Sequence, residues 1–204
     1  WHTQAGDAYQ VLAYMSILRS DNPGAIDYYE RALAHRPTYE ARKNLAILYD
    51  RVGQYEQALA QAQAALEMAQ GKSESDIQAL QTFIQQVQAK QDQLRQAQEQ
   101  VQANPSDYQA HYALATLYRQ GNRLKEAIAE AQLAAQYVPR SQPAEVVKVY
   151  NLLGQCAFQT EEYEAAEGAY QEVLKVAPQD LTALYGLAQV YKAQGRLAEA
   201  RAQA

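Results

Sequence analysis

VYNLLGQCAFQTEEYEAAEGAYQEVLKVAPQD, Val149–Asp180, followed by LTALYGLAQVYKAQGRLAEARAQA, Leu181–Ala204, decides how the rest of this chain is read. The pattern that begins at Tyr150 restarts at Leu184. Tyr150, Leu153 and Gly154 are answered by Leu184, Leu187 and Ala188, and Ala166 by Ala200. A constant period in the range of about 20–50 residues signals stacked units, so length counts repeats rather than domains. Within one unit, Tyr150, Leu153 and Gly154 share a helix face, which places a large residue beside a site with no side chain and lets a neighbouring helix approach closely. Ala166 and Tyr170, one helical turn apart, repeat the device on the next helix. Pro178 has no N–H with which to continue a helix, and it ends the unit.

The set Tyr150, Leu153, Gly154, Ala166, Tyr170 and Pro178 resembles the signature of the tetratricopeptide repeat. That resemblance implies an all-α fold, a right-handed α-solenoid of stacked antiparallel helix pairs. Applied along the chain, it predicts a single solenoid over 1–204 with units at about 6–38, 39–71, 74–107, 108–141, 143–180 and 181–204. The first unit carries Tyr9, Leu12, Ala13, Ala25, Tyr29 and Pro37, with Asp21 and Pro23 as start signals for its second helix. The second departs from the pattern, with Arg42 and Ala62 where aromatics are usual and no closing Pro. Gly53, Gly121 and Gly195 mark turns, whereas Thr160-Glu161-Glu162 turns without glycine. The step from Ala115 to Gly154 is longer than the period, and the surplus falls at Arg140–Pro143, read as a longer loop with Pro143 opening an extended helix.

The stretch 76–103 is the least regular, crowded with Gln and free of Gly and Pro. Ile77, Leu80, Ile84, Val87, Leu94 and Val101 fall on the three-and-four spacing of one straight amphipathic helix. Repeat arithmetic instead favours a degenerate helix pair, because the step from Ala46 to Ala115 is close to two periods. Propensity alone leaves both readings open.

Hydrophobic residues are 48% and charged residues 20%, as in a soluble folded protein, and the formal net charge of −5 comes without a Lys/Arg cluster, which argues against a nucleic-acid partner. No apolar run is long enough for a membrane span. Trp1 is not an initiating Met and Ala204 falls inside a helix that should continue, so a fragment is expected, from which a targeting or anchoring segment could have been removed. The lone Cys156 leaves the compartment undetermined, with the cytoplasm as default, and is expected to be a small buried residue.

No cofactor, metal or catalytic site is expected. Gly71-Lys72-Ser73 lacks the first glycine of a phosphate loop, which would fall at Leu66. His2, His35 and His111 are scattered, without ligands at metal spacing. The family resemblance implies a non-catalytic scaffold, an adaptor or complex-assembly factor, holding an extended partner segment on the face lined by the first helix of each pair. Candidate groove residues are Tyr14, Lys43, Asn44, Tyr112, Thr116, Arg119, Lys148, Asn151, Gln155 and Tyr185. Asn44, Tyr112, Arg119 and Asn151 are expected to share one channel. Amides can pair with peptide backbone, and Tyr and Arg suit anchoring contacts. A clamp for chaperone C-terminal tails is not expected, because Gln10 and Tyr14 stand where the family's Lys and Asn would be and no later helix supplies a Lys–Arg pair. Two alternatives remain: a homo-oligomerisation module working through an exposed line of Ile84, Val87, Leu94 and Val101, and a regulatory or targeting domain of a larger enzyme.

Overall fold

The computed structural model describes residues 2–202, and the side chains of His2 and Thr3 lie outside the described part. Among the described residues every regular element is an α-helix: α1 (His2–Leu18), α2 (Asn22–His35), α3 (Tyr39–Arg51), α4 (Tyr55–Glu67), α5 (Glu74–Ala103), α6 (Tyr108–Gln120), α7 (Leu124–Tyr137), α8 (Pro143–Gln159), α9 (Tyr163–Val176), α10 (Leu181–Ala193) and α11 (Leu197–Ala202). The fold is therefore all-α, built of antiparallel pairs joined by short turns. The chain forms two compact units, Trp1–Gln93 and Leu94–Ala204, whose boundary falls within α5.

In unit 1, α1 pairs with α2 and α3 with α4. The Asp21 carboxylate accepts a hydrogen bond from the Gly24 N–H at 2.9 Å and Thr38 Oγ1 accepts from the Ala41 N–H at 3.2 Å, so each satisfies an orphan donor of the helix it opens. Ala13, Ala25, Ala58 and Ala62 are fully buried, which lets backbones approach closely, and Tyr29, Leu45, Leu48, Tyr49 and Leu59 fill the space between them. One face of α5 completes this core. Leu80 packs with Ala46, Ala62 and Ala65, and Val87 joins the layer of Leu48 and Leu59.

Residues 74–103 are thus one helix of 30 residues, and not the degenerate pair that repeat arithmetic favours. Neither Gln81, Asp92 nor Gln93 carries a backbone reason to stop a helix, and Gln is a good helix former. The apolar line expected to be exposed for self-association is spent inside the chain: Val87 and Leu94 are buried and Ile84 and Val101 half-buried.

In unit 2, α6 pairs with α7, α8 with α9 and α10 with α11, and successive pairs stack. Asp107 and Asp180 cap α6 and α10 through the Gln109 and Ala183 N–H groups, both at 2.9 Å. Tyr170 is 3% exposed and lies between two glycines. A Cβ built on Gly154 would stand 2.7 Å from Tyr170 Cε1, and one on Gly186 would stand 2.3 Å from Cζ. Absent side chains on α8 and α10 therefore make the slot that the ring occupies. Burial pushes the Tyr170 phenol up to about 12.

Each turn within a pair uses one left-handed residue: Ser20, Gly53, Asn122, Glu161 and Gly195, with φ between 55° and 75°. At the α6–α7 turn this residue is Asn122, not the Gly121 that the sequence marks. Gly121 has φ −81° as the last cap of α6, and Asn takes the left-handed conformation more readily than other side chains.

Candidate protein-binding face

In unit 2, α6, α8 and α10 are the first helices of their pairs, and α8 touches both others. The residues that they do not bury form a connected strip. Arg119 Nη1 donates to Gln155 Oε1 at 2.8 Å, joining α6 to α8. Asn151 Nδ2 donates to Asp180 Oδ1 at 3.1 Å, joining α8 to the cap of α10. Lys148 Nζ donates to Glu145 Oε1 at 2.8 Å. That bond holds the ammonium above the usual lysine value, with smaller contributions from nearby Tyr112 and Tyr108. The strip thus brings together Tyr112, Thr116, Arg119, Lys148, Asn151 and Gln155.

Not all of these groups are available to a ligand. Thr116 Oγ1 donates to the Tyr112 carbonyl at 2.8 Å, a bond within its own helix, and Tyr112 is half-buried against Val138, Val146 and Val149. Asn151 spends its N–H on Asp180, while its Oδ1 is buried without a partner among the described residues. Tyr185 is 68% exposed and accepts from Gln189 Nε2 at 2.6 Å. With Ala188, Gln189, Lys192, Leu197, Ala200 and Arg201 it lines an open cavity of about 470 Å³. Lys192, Leu197 and Arg201 were not singled out from the sequence. The repeat that maps Gly154 onto Ala188 maps Phe158 onto Lys192, so the signal lay in the register rather than in residue type.

The remaining candidates belong to unit 1. Tyr14 is exposed on α1 within an apolar stripe of Val11, Leu12, Met15 and Leu18. Lys43 Nζ lies 3.9 Å from Glu40 and 5.7 Å from the Tyr39 ring centroid. The Asn44 amide donates to Tyr29 Oη at 3.0 Å, so it ties α3 to α2. Of the four residues expected in one channel, Tyr112, Arg119 and Asn151 are in unit 2, and Asn44 is engaged in unit 1.

Groups that resemble chemical sites are occupied structurally. His111 is buried and stacks on Tyr137, with Nδ1 2.6 Å from Glu130 Oε2 and Nε2 3.0 Å from the Pro105 carbonyl, leaving no ring nitrogen for a ligand. Burial pushes the Cys156 thiol up to about 11, partly offset by Arg119, which keeps it protonated and unreactive near neutral pH. Lys72, in the glycine-led loop, bonds Glu40 at 2.9 Å and sits 4.4 Å from the Tyr39 ring centroid. Among the described residues no group of three or more His, Cys, Asp or Glu could hold a metal ion, and no helix is long and apolar enough to cross a membrane.

Among solved structures the chain is similar to the crystal structure of MamA protein, at 17% identity over 98% of this chain and 88% of that one, with a TM-score of 0.46. It is also similar to Pseudomonas aeruginosa pilF, at 15% identity over 99% and 74%, with a TM-score of 0.45. No curated protein matches significantly. The family model described as Tetratricopeptide repeat matches residues 19–74, 88–146 and 151–204, which is most of the sequence. The chain belongs to the tetratricopeptide repeat family.

Proposed function

We propose that the strip of first helices in unit 2 holds an extended segment of a partner protein, making the chain a non-catalytic adaptor or complex-assembly factor. Membership of the repeat family supports a protein–protein interaction scaffold. The observation that carries the finer reading is the connected strip itself. Arg119–Gln155 and Asn151–Asp180 link three adjacent helices into one surface, beside which Tyr185 stands exposed. An extended segment laid across the three parallel helices can reach all of these groups.

The test compares capture of the natural partner from the source cell by the wild-type chain and by Tyr185→Ala with Gln155→Ala. Tyr185 is exposed, so its loss should leave the fold intact and weaken capture by about tenfold or more, as for an aromatic anchor. The control is Gln132→Lys with Glu164→Lys, exposed on α7 and α9, which should leave capture unchanged. The opposite pattern would move the binding surface to the second helices and refute the strip.

A further inference from the structure

Charge in unit 2 is sorted by helix layer. The first helices α6, α8 and α10 carry Arg119, Lys148 and Lys192 against one carboxylate, Glu145. The second helices α7, α9 and α11 carry Glu126, Glu130, Glu164, Glu167, Glu172 and Glu199, against Lys125, Lys175 and Arg201. In a chain of net charge −5 the C-terminal ends of α6 and α10 are therefore locally basic, whereas the caps Asp107 and Asp180 put carboxylates at the opposite, N-terminal ends of the same helices. The strip's cations are also unequally spent. Lys148 is paired with Glu145, but Arg119 is held by a neutral amide and Lys192 is exposed with no ion pair among the described residues. Arg201 adds a further cation on the rim of the cavity beside Lys192.

We propose that the occupant of the strip is an acidic extended segment of another protein, whose carboxylates are received by Arg119 at one side and Lys192 at the other. This rests on the strip reading above and adds the chemistry of the ligand. Neighbouring packed helices lie roughly 8–10 Å apart, which puts the α6 and α10 axes about 16–20 Å apart. An extended chain advances about 3.3 Å per residue, so the two carboxylates should be about five or six residues apart. Between them α8 presents Gln155, whose remaining amide hydrogens can meet a peptide carbonyl, and Phe158, half-buried, can meet an apolar side chain. A guanidinium held by a neutral amide keeps its full charge for such a ligand, and its planar fork suits a carboxylate.

The test uses three fluorescein-labelled peptides, alike except at two positions about six residues apart, which carry Glu, Gln or Lys. Each is titrated with the 204-residue chain and read by anisotropy. The Glu peptide should bind about tenfold tighter than the Gln peptide, and added salt should shrink that ratio. Arg119→Gln with Lys192→Gln should abolish the ratio, whereas Tyr185→Ala should weaken the Glu and Gln peptides alike. Equal binding of Glu and Gln peptides, or preference for Lys, would overturn the acidic ligand; if Tyr185→Ala still weakened binding, the strip reading would survive. Indifference to Tyr185→Ala would remove the strip reading as well. Binding of none of the peptides overturns the acidic segment, and so does self-association of the chain that excludes the Glu peptide, which makes the occupant a second copy.

Discussion

The α8–α9–α10 layer of unit 2 and the α3–α4–α5 layer of unit 1 solve one packing problem in opposite ways. The two align in a single register, in which Gly154 corresponds to Ala46, Tyr170 to Ala62, Ala157 to Tyr49 and Glu161 to Gly53. In unit 2 the second helix supplies the bulk, and the flanking helices provide glycines to receive it. In unit 1 the second helix is hollow at Ala62, and the bulk comes from α5, whose Leu80, Phe83 and Ile84 pack into the space. Close packing conserves total volume rather than the residue that supplies it. A helix of 30 residues can thus stand where a pair is expected, provided that its face fills the hollow.

Removing the bulk on either side should be the most damaging change. Tyr170→Ala should cost about 3–5 kcal/mol and Leu80→Ala about 2–4 kcal/mol in urea unfolding, since each leaves a cavity. Equal and small losses would dissolve the contrast. Adding a methyl to the slot should cost less, about 1–2 kcal/mol net, because overpacking is partly offset by better helix propensity. Gly186→Ala should be worse than Gly154→Ala, following the 2.3 and 2.7 Å approaches. Either should be rescued by Tyr170→Leu, a non-additivity that only direct contact explains.

Alkali should act on both layers, in unit 1 through Tyr49, whose phenol is held above its usual value by burial and Glu30, and in unit 2 first through Cys156. Cys156 is fully buried where unit 1 has Leu48, and its folded thiol is raised from 9.0 to about 11. A raised acid keeps its proton longer when folded, so the unfolded chain ionises first. Its contribution is complete below about pH 9 and is lost as pH climbs to about 11, with a loss of roughly 3 kcal/mol. Tyr170 adds to the loss from pH 10.0 to about 12. Urea midpoints should fall over this range and fall less in Cys156→Ala; an identical pH slope in that variant would contradict the assignment. The smallest expected effect is at the turns. Glu161 holds φ 62° where Gly53 holds φ 69°, so Glu161→Gly should raise stability by about 0.5–1 kcal/mol, read as a higher melting temperature.

The repeats were legible because their signals are local. Pro143 opens α8, Asp21 caps α2, and the pairing of Tyr170 with Gly154 follows from spacing. What escaped depended on tertiary volume. No local feature of 74–103 says that Ala62 and Ala65 leave a hollow for Leu80, and without that fact one helix and two are equally good readings. Asn122 escaped because Gly121 beside it is the stronger turn signal. In the strip, residue type and register suggested Arg119, Asn151 and Gln155, but not that Arg119 would bond Gln155 or that Asn44 would be spent on Tyr29. Hydrogen-bond partners across helices lie beyond a periodic pattern.

The most direct test of the central claim, that the first helices of unit 2 hold the partner, is site-specific photo-crosslinking. Benzoylphenylalanine would replace Tyr185, Thr116 or Gln189 on the strip, and Gln132 or Glu164 on the second helices, and the chain would be irradiated with its captured partner. The account predicts adducts from the strip positions, mapping to one contiguous stretch of the partner, and none from the second helices. Adducts confined to Gln132 and Glu164 would contradict it.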